Sequence, residues 1–157
     1  MKVKTLTMTA ILIALSAVGA FIKIPSPTGT VALDSLPGYF AALYLSPGIG
    51  AVVAALGHLL SAATAGFPLT LPLHLLVALE MAIFAAIFGI LGKKNIPFAV
   101  IVATILNGVI APLSFAVLPK FGMAFFYSMV VPLLFASFIN IFLAGLVAGA
   151  IQRRMGK

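Results

Sequence analysis

Apolar residues run through this chain in long stretches, broken by Pro, Gly and Lys rather than alternating with polar positions. The breaks mark out six segments, at about 6–22, 31–45, 48–65, 71–91, 97–118 and 125–151. Segments two and three are separated only by Ser46-Pro47-Gly48, which predicts a tight helical hairpin. The second segment is short and contains Pro37-Gly38, which predicts a kinked or tilted helix. Within a bilayer such runs must be helical, because every backbone N–H and C=O has to be satisfied internally. The pattern predicts a single all-α domain over residues 1–157, a bundle of six transmembrane helices with no soluble module and no internal repeat.

Composition sharpens this picture. The chain is 64% hydrophobic and only 7% charged, against about 25% charged residues in a soluble domain. Its mean hydropathy is +1.32. So little charge does not cover a water-exposed surface. The net charge of +7 does not point to nucleic acid, because the basic residues sit in short clusters between apolar segments. With no cysteine, disulfides and thiolate chemistry are excluded. The start, MKVKTLTMTAILIALSAVGAF, has the outline of a secretory leader. We read it as the first span, because the protein behind it is itself all membrane.

Lys and Arg set the expected orientation. Six spans put both termini on one side, together with Lys2, Lys4, Lys93, Lys94, Arg153, Arg154 and Lys157. Lys23 and Lys120 lie opposite. The termini are therefore predicted to be cytoplasmic, with loops at about 23–30, 66–70 and 119–124 facing outward.

Against this background the polar residues stand out. An acidic side chain at a helix centre costs roughly 2.5–3.5 kcal/mol on insertion scales. The chain nevertheless keeps both histidines and one of its two carboxylates within residues 57–82. Asp34 opens segment two, and His74 opens segment four near the same surface. Glu80 follows six residues further in, about 9 Å deeper at 1.5 Å per residue. His58 lies in the middle to outer half of segment three with Ser61 one turn away on the same face, and Asn107 occupies the middle of segment five. Each histidine alone is explained by a hydrogen bond to a neighbouring helix. Together, Asp34, His58, Ser61, His74, Glu80 and Asn107 sit on four helices at compatible depths, which predicts a polar-lined pocket in the outer half. Ser137 and Asn140 form an i, i+3 pair nearer the cytoplasmic side, and Asn140 is expected to be interhelical glue.

The first segment carries a small-xxx-small pair, Ala10 and Ala14, continued by Ala17, Gly19 and Ala20. Small side chains let another helix approach closely, either one of the protein's own or a membrane partner's. The 23–30 loop, with Pro25, Pro27 and Gly29, reads as a lid over the pocket or as a plain connector. No phosphate-binding GxxxxGK[ST] loop occurs, so the chain is not expected to hydrolyse ATP. GxSxG and HExxH motifs are absent too.

Six short spans, the Lys-rich start and the AxxxA within AILIALSAVGAFIKIP resemble the substrate-binding S components of energy-coupling factor (ECF) transporters. The resemblance covers the whole chain. It implies a multi-pass protein of the bacterial cell membrane that captures a vitamin or related micronutrient from outside. The implied partners are a transmembrane coupling protein, contacted through Ala10 and Ala14, and two ABC ATPases. ATP is then hydrolysed by those subunits, and no cofactor belongs to this chain. The loop at about 23–30 is implied to be the gate.

SAVGAFIKIPSPTGTVALDSLPGYF, GHLLSA and PLHLLVALEMA resemble, within that family, the α-ribazole transporters of cobamide (vitamin B12) salvage. α-Ribazole is a neutral, flat benzimidazole joined to a ribose. Carboxylates accept from sugar hydroxyls, while His and Asn serve a ring nitrogen or the sugar. Phe67, Phe115, Phe125, Phe126 and Tyr127 are candidates for its apolar walls. Other readings are an S component for a different micronutrient, an intramembrane metal enzyme using His58, His74 and Glu80, and an assembly subunit without a ligand.

Overall fold

A computed structural model describes residues 2–29 and 31–154 of the chain. Thr30 of the expected gate and Lys157 of the basic tally lie outside the described residues. Helices α1 (Val3–Gly19), α2 (Leu36–Tyr44), α3 (Pro47–Thr64), α4 (Leu71–Gly92), α5 (Ile96–Val117) and α6 (Gly122–Arg154) make up the fold. Four of them, α3 to α6, are long and apolar enough to cross a membrane; α1 is a shorter apolar helix.

The second expected span departs from the sequence reading. Only nine of its residues are helical, about 13 Å at 1.5 Å per residue, less than half of a hydrocarbon core about 30 Å thick. Residues 31–33 instead pair with 22–24: Lys23 bridges Ala32, the Ile24 N–H donates to Val31 O at 2.9 Å and the Leu33 N–H to Ile22 O at 3.1 Å. Pro37 explains where the helix begins, since it lacks an N–H to give and fits only the first helical turn.

Helix α2 is short because it is enclosed. It packs against α1, α3, α4 and α6, and Tyr39, Ala41 and Ala42 are fully buried. Close approach here depends on small residues. A Cβ on Gly50 would collide with Ala42, one on Gly89 would lie 2.6 Å from Ala42 O, and one on Gly38 would lie 2.8 Å from the Ala54 Cα. Where the hydrophobic drive between helices is missing, such van der Waals fit holds a bundle together. Larger apolar side chains such as Leu79, Ile90, Ile101 and Val131 point outward instead. The expected hairpin at residues 46–48 is present: Ser46 caps α3, its hydroxyl accepting the Ile49 N–H at 3.2 Å.

Helix α5 is not a regular α-helix. It runs as α over Ile96–Ile105, widens to a π turn at Leu106–Ile110, and ends in a 3₁₀ turn at Phe115–Val117. Pro112 accounts for the π turn. It gives no N–H to Gly108 O, and its ring would press on that carbonyl in an α geometry.

The bundle has two distinct ends. At one, Gly92 of α4 packs on Leu43 and the Gln152 side chain reaches Leu43 O at 3.5 Å. This end carries Lys2, Lys4, Lys93, Lys94, Arg153 and Arg154. The other gathers residues 22–29 and 31–35, the α3–α4 turn, the end of α5 and the start of α6, with Lys23 and Lys120.

Candidate functional site

A hollow of about 100 Å³ opens within the end carrying Lys23 and Lys120, several times the roughly 10–15 Å³ that one water needs. Its polar lining comprises Asp34, Ser35, His58, His74, Asn107, Ser137 and Asn140. Its apolar walls include Val31, Leu69, Met81, Phe115, Phe125 and Met129.

Asp34 is held from two sides. A Cβ on Gly19 would collide with Leu33 O, so the end of α1 lies directly on the backbone just before Asp34. On α3 the buried Ser61 side chain lies beside the Asp34 carboxylate. Ser61 itself is not among the lining residues; it supports Asp34 from behind.

Asn140 anchors the same segment from α6. Its Oδ1 accepts the Leu36 N–H at 2.9 Å, and its Nδ2 donates to Ala32 O at 3.2 Å and Ala136 O at 2.9 Å. An amide has two donor hydrogens, so Asn140 is fully engaged. It closes the free N-terminus of α2 and ties down the strand-like 31–33 stretch together.

The two histidines face each other, His58 Nε2 to His74 Nδ1 at 3.2 Å. The Leu69 N–H donates to His74 Nε2 at 3.4 Å. A neutral ring that accepts on Nε2 carries its proton on Nδ1. His74 therefore donates to His58 Nε2, which leaves His58 with its own proton on Nδ1. The backbone amide of Leu69 thus sets the tautomers of both rings. Leu69 comes from a constrained turn in which Gly66, Phe67 and Thr70 all have positive φ, at 74°, 50° and 74°. For Phe and Thr this is an uncommon conformation that surrounding contacts must impose. The Phe67 ring supplies one such contact, lying 5.7 Å edge-on from His74.

On the far wall, Asn107 Nδ2 donates to Ser137 Oγ at 2.8 Å. Among the described residues, Asn107 keeps its Oδ1 and one N–H uncommitted, and the Ser137 hydroxyl keeps a proton to donate. The π turn of α5 holds Asn107 in this position. Phe115 and Phe125 lie 5.3 Å apart with Phe121 behind them, at 5.4 and 5.0 Å. Phe126 and Tyr127 are not in the wall, and Tyr127 is 68% exposed.

Glu80 does not join the hollow. It turns toward Ser114 of α5, whose hydroxyl donates to Ala111 O at 2.7 Å, and its Oε2 is buried and unpartnered among the described residues. Six residues on a helix with 3.6 per turn rotate a side chain by about 240°. Its depth, about 9 Å below His74, is compatible with the hollow but its direction is not; Val77 and Met81 share the His74 face instead. The triad of His58, His74 and Glu80 is split as a result, and among the described residues no group of three His, Asp or Glu could hold a metal. Ser137 and Asn140, expected nearer the other side, are part of the hollow. The 33 residues of α6 are about 50 Å long, well beyond a core of about 30 Å, so position along this helix is a poor guide to depth.

Outside the hollow, Ala10 and Ala14 lie on the exposed face of α1, opposite the buried Thr9, Leu12, Ser16 and Gly19. Gly19 and Ala20 do not continue that exposed face, because both are buried within the chain.

A family model described as "ECF transporter, substrate-specific component" matches residues 4–152. Among solved structures the chain is similar to the S component of a bacterial ECF transporter, with 21% identity and a TM-score of 0.56 over 98% of this chain and 95% of the other. That likeness is one of fold. No match was found among curated proteins.

Proposed function

The chain belongs to the substrate-specific components of ECF transporters, and from that premise we propose that it captures α-ribazole from outside the cell membrane for cobamide salvage. Membership implies a small-molecule substrate and the ECF module as partner, and makes the chain a transport subunit, not an enzyme. The observation that carries the substrate reading is the make-up of the hollow. Phe115 and Phe125 offer a flat ring apolar faces, beside the Asp34 carboxylate and the open hydrogen-bonding positions of His58, Asn107 and Ser137. No Lys or Arg lines it, which suits a neutral ligand better than an anionic one. In this reading Asp34 accepts from ribose hydroxyls, supported by Ser61, and the His58 N–H, fixed by His74, meets the ring nitrogen. Asn107 and Ser137 bind the remaining sugar oxygens.

The six described basic residues at the opposite end favour an outward-facing hollow with cytoplasmic termini. The loop at about 23–30 would then act as the gate, since Val31 and Ala32, which follow it, line the hollow. The open small-residue face at Ala10 and Ala14 would receive the coupling protein, with ATP hydrolysed by the module's own ATPase subunits.

Equilibrium binding of radiolabelled α-ribazole to the purified protein tests this, with thiamine, riboflavin and pantothenate as competitors. Saturable binding lost in Asp34→Ala and resistant to those competitors is expected. Displacement by one of them would keep the site and change the cargo. Saturable binding that Asp34→Ala leaves intact would remove the hollow from consideration.

A further inference from the structure

A second cavity, about 430 Å³, lies between α5 and α6 at the basic end of the bundle. Ile96, Val100 and Ile101 form one wall and Phe138, Phe142 and Leu146 the other. The Phe138 and Phe142 rings stack 5.5 Å apart and stay about half exposed, so the groove opens to the side of the bundle. Its floor is α6 backbone at Gly145 and Gly149, where missing side chains leave room. A Cβ on Gly149 would stand 3.5 Å from Ile96 Cδ1, an ordinary contact, so a larger side chain there would grow into the groove.

At the rim is Arg153. The chain has two acidic side chains, Asp34 and Glu80. Asp34 lines the hollow at the other end, and Glu80 is turned toward Ser114, far along α5 from Ile96. Neither neutralises Arg153. Fifteen residue steps separate Phe138 from Arg153, about 22 Å of helix, which exceeds half of a hydrocarbon core about 30 Å thick. A slot with one leaflet's reach, and at its mouth a guanidinium that no acidic side chain of the protein offsets, has the chemistry of a lipid site. We propose that the groove holds one acyl chain of an anionic glycerophospholipid whose phosphate is bound by Arg153.

Native mass spectrometry tests this on protein exchanged into micelles with equimolar phosphatidylglycerol and phosphatidylcholine of matched acyl chains. The wild type should retain phosphatidylglycerol preferentially. Arg153→Gln should cut that preference about fivefold, the weight of one arginine at an anionic membrane surface. Gly149→Leu should displace the bound lipid, while Arg154→Gln, outside the groove, should leave the preference in place. Arg153→Gln carries the test alone if Gly149→Leu fails to fold, because it alters only an exposed helix end. Equal retention of the two lipids by the wild type would overturn the proposal. So would unchanged retention in Arg153→Gln, or a two-chain species in place of a lipid adduct.

Discussion

Replacing Asn140 with Leu isolates what the anchor beneath the hollow contributes. Leucine has the same branched shape and number of side-chain heavy atoms, so no cavity is left, but all three side-chain hydrogen bonds disappear. Ala136 O retains a backbone partner within α6, so its loss is small. The Leu36 N–H and Ala32 O are different, because Asn140 is the partner recorded for each. A buried polar group left unpaired costs about 1–3 kcal/mol, and two such groups give about 2–6 kcal/mol. Taking about 3 kcal/mol for the local effect, opening of the 31–36 segment should become roughly a hundredfold more frequent. Hydrogen–deuterium exchange in detergent reads this directly. Peptides covering residues 31–40 should lose about two orders of magnitude of protection, whereas peptides from the middle of α4 should not change. α-Ribazole affinity should fall with it, since Asp34 rides on that segment. Exchange at 31–40 within about twofold of wild type would refute the reasoning.

Four further outcomes follow from the geometry. Asp34→Ala should weaken α-ribazole binding by about 10–100-fold, the scale of a hydrogen bond to a charged group, measured by equilibrium binding. Glu80→Gln should leave binding within about twofold, since that side chain faces Ser114; a loss comparable to Asp34→Ala would return Glu80 to the site. His74→Phe should reduce affinity less than His58→Phe, because His74 acts by fixing the His58 tautomer; equal losses in a calorimetric titration would contradict that order. Ala10→Leu with Ala14→Leu should spare substrate binding by the isolated protein yet abolish uptake in cells carrying the full ECF module; normal uptake would rule out that face.

The boundaries of segments three to five and the burial of polar residues were legible in the apolar pattern, because length and desolvation act along the chain. Asp34, His58, His74 and Asn107 were recognisable by their cost alone and do converge. Direction around the helix axis was the weaker part. Glu80 had the right depth, yet its six-residue offset from His74 sends it to another face, and helix geometry would have revealed this. Ser137 and Asn140 were assigned to the wrong level because a 33-residue helix outruns the bilayer. The truncation of α2 and the pairing of 22–24 with 31–33 came from tertiary enclosure, which hydropathy does not encode. The π turn had a local cause in Pro112, but where it would point Asn107 was fixed only by the packing of Gly108 on Leu134.

The most direct test is an experimental structure of the purified protein saturated with α-ribazole. Density for the ligand should lie between Asp34, His58 and Asn107, its ring against Phe115 and Phe125. Ligand density anywhere else on the molecule, with the hollow between those side chains empty, would contradict the account.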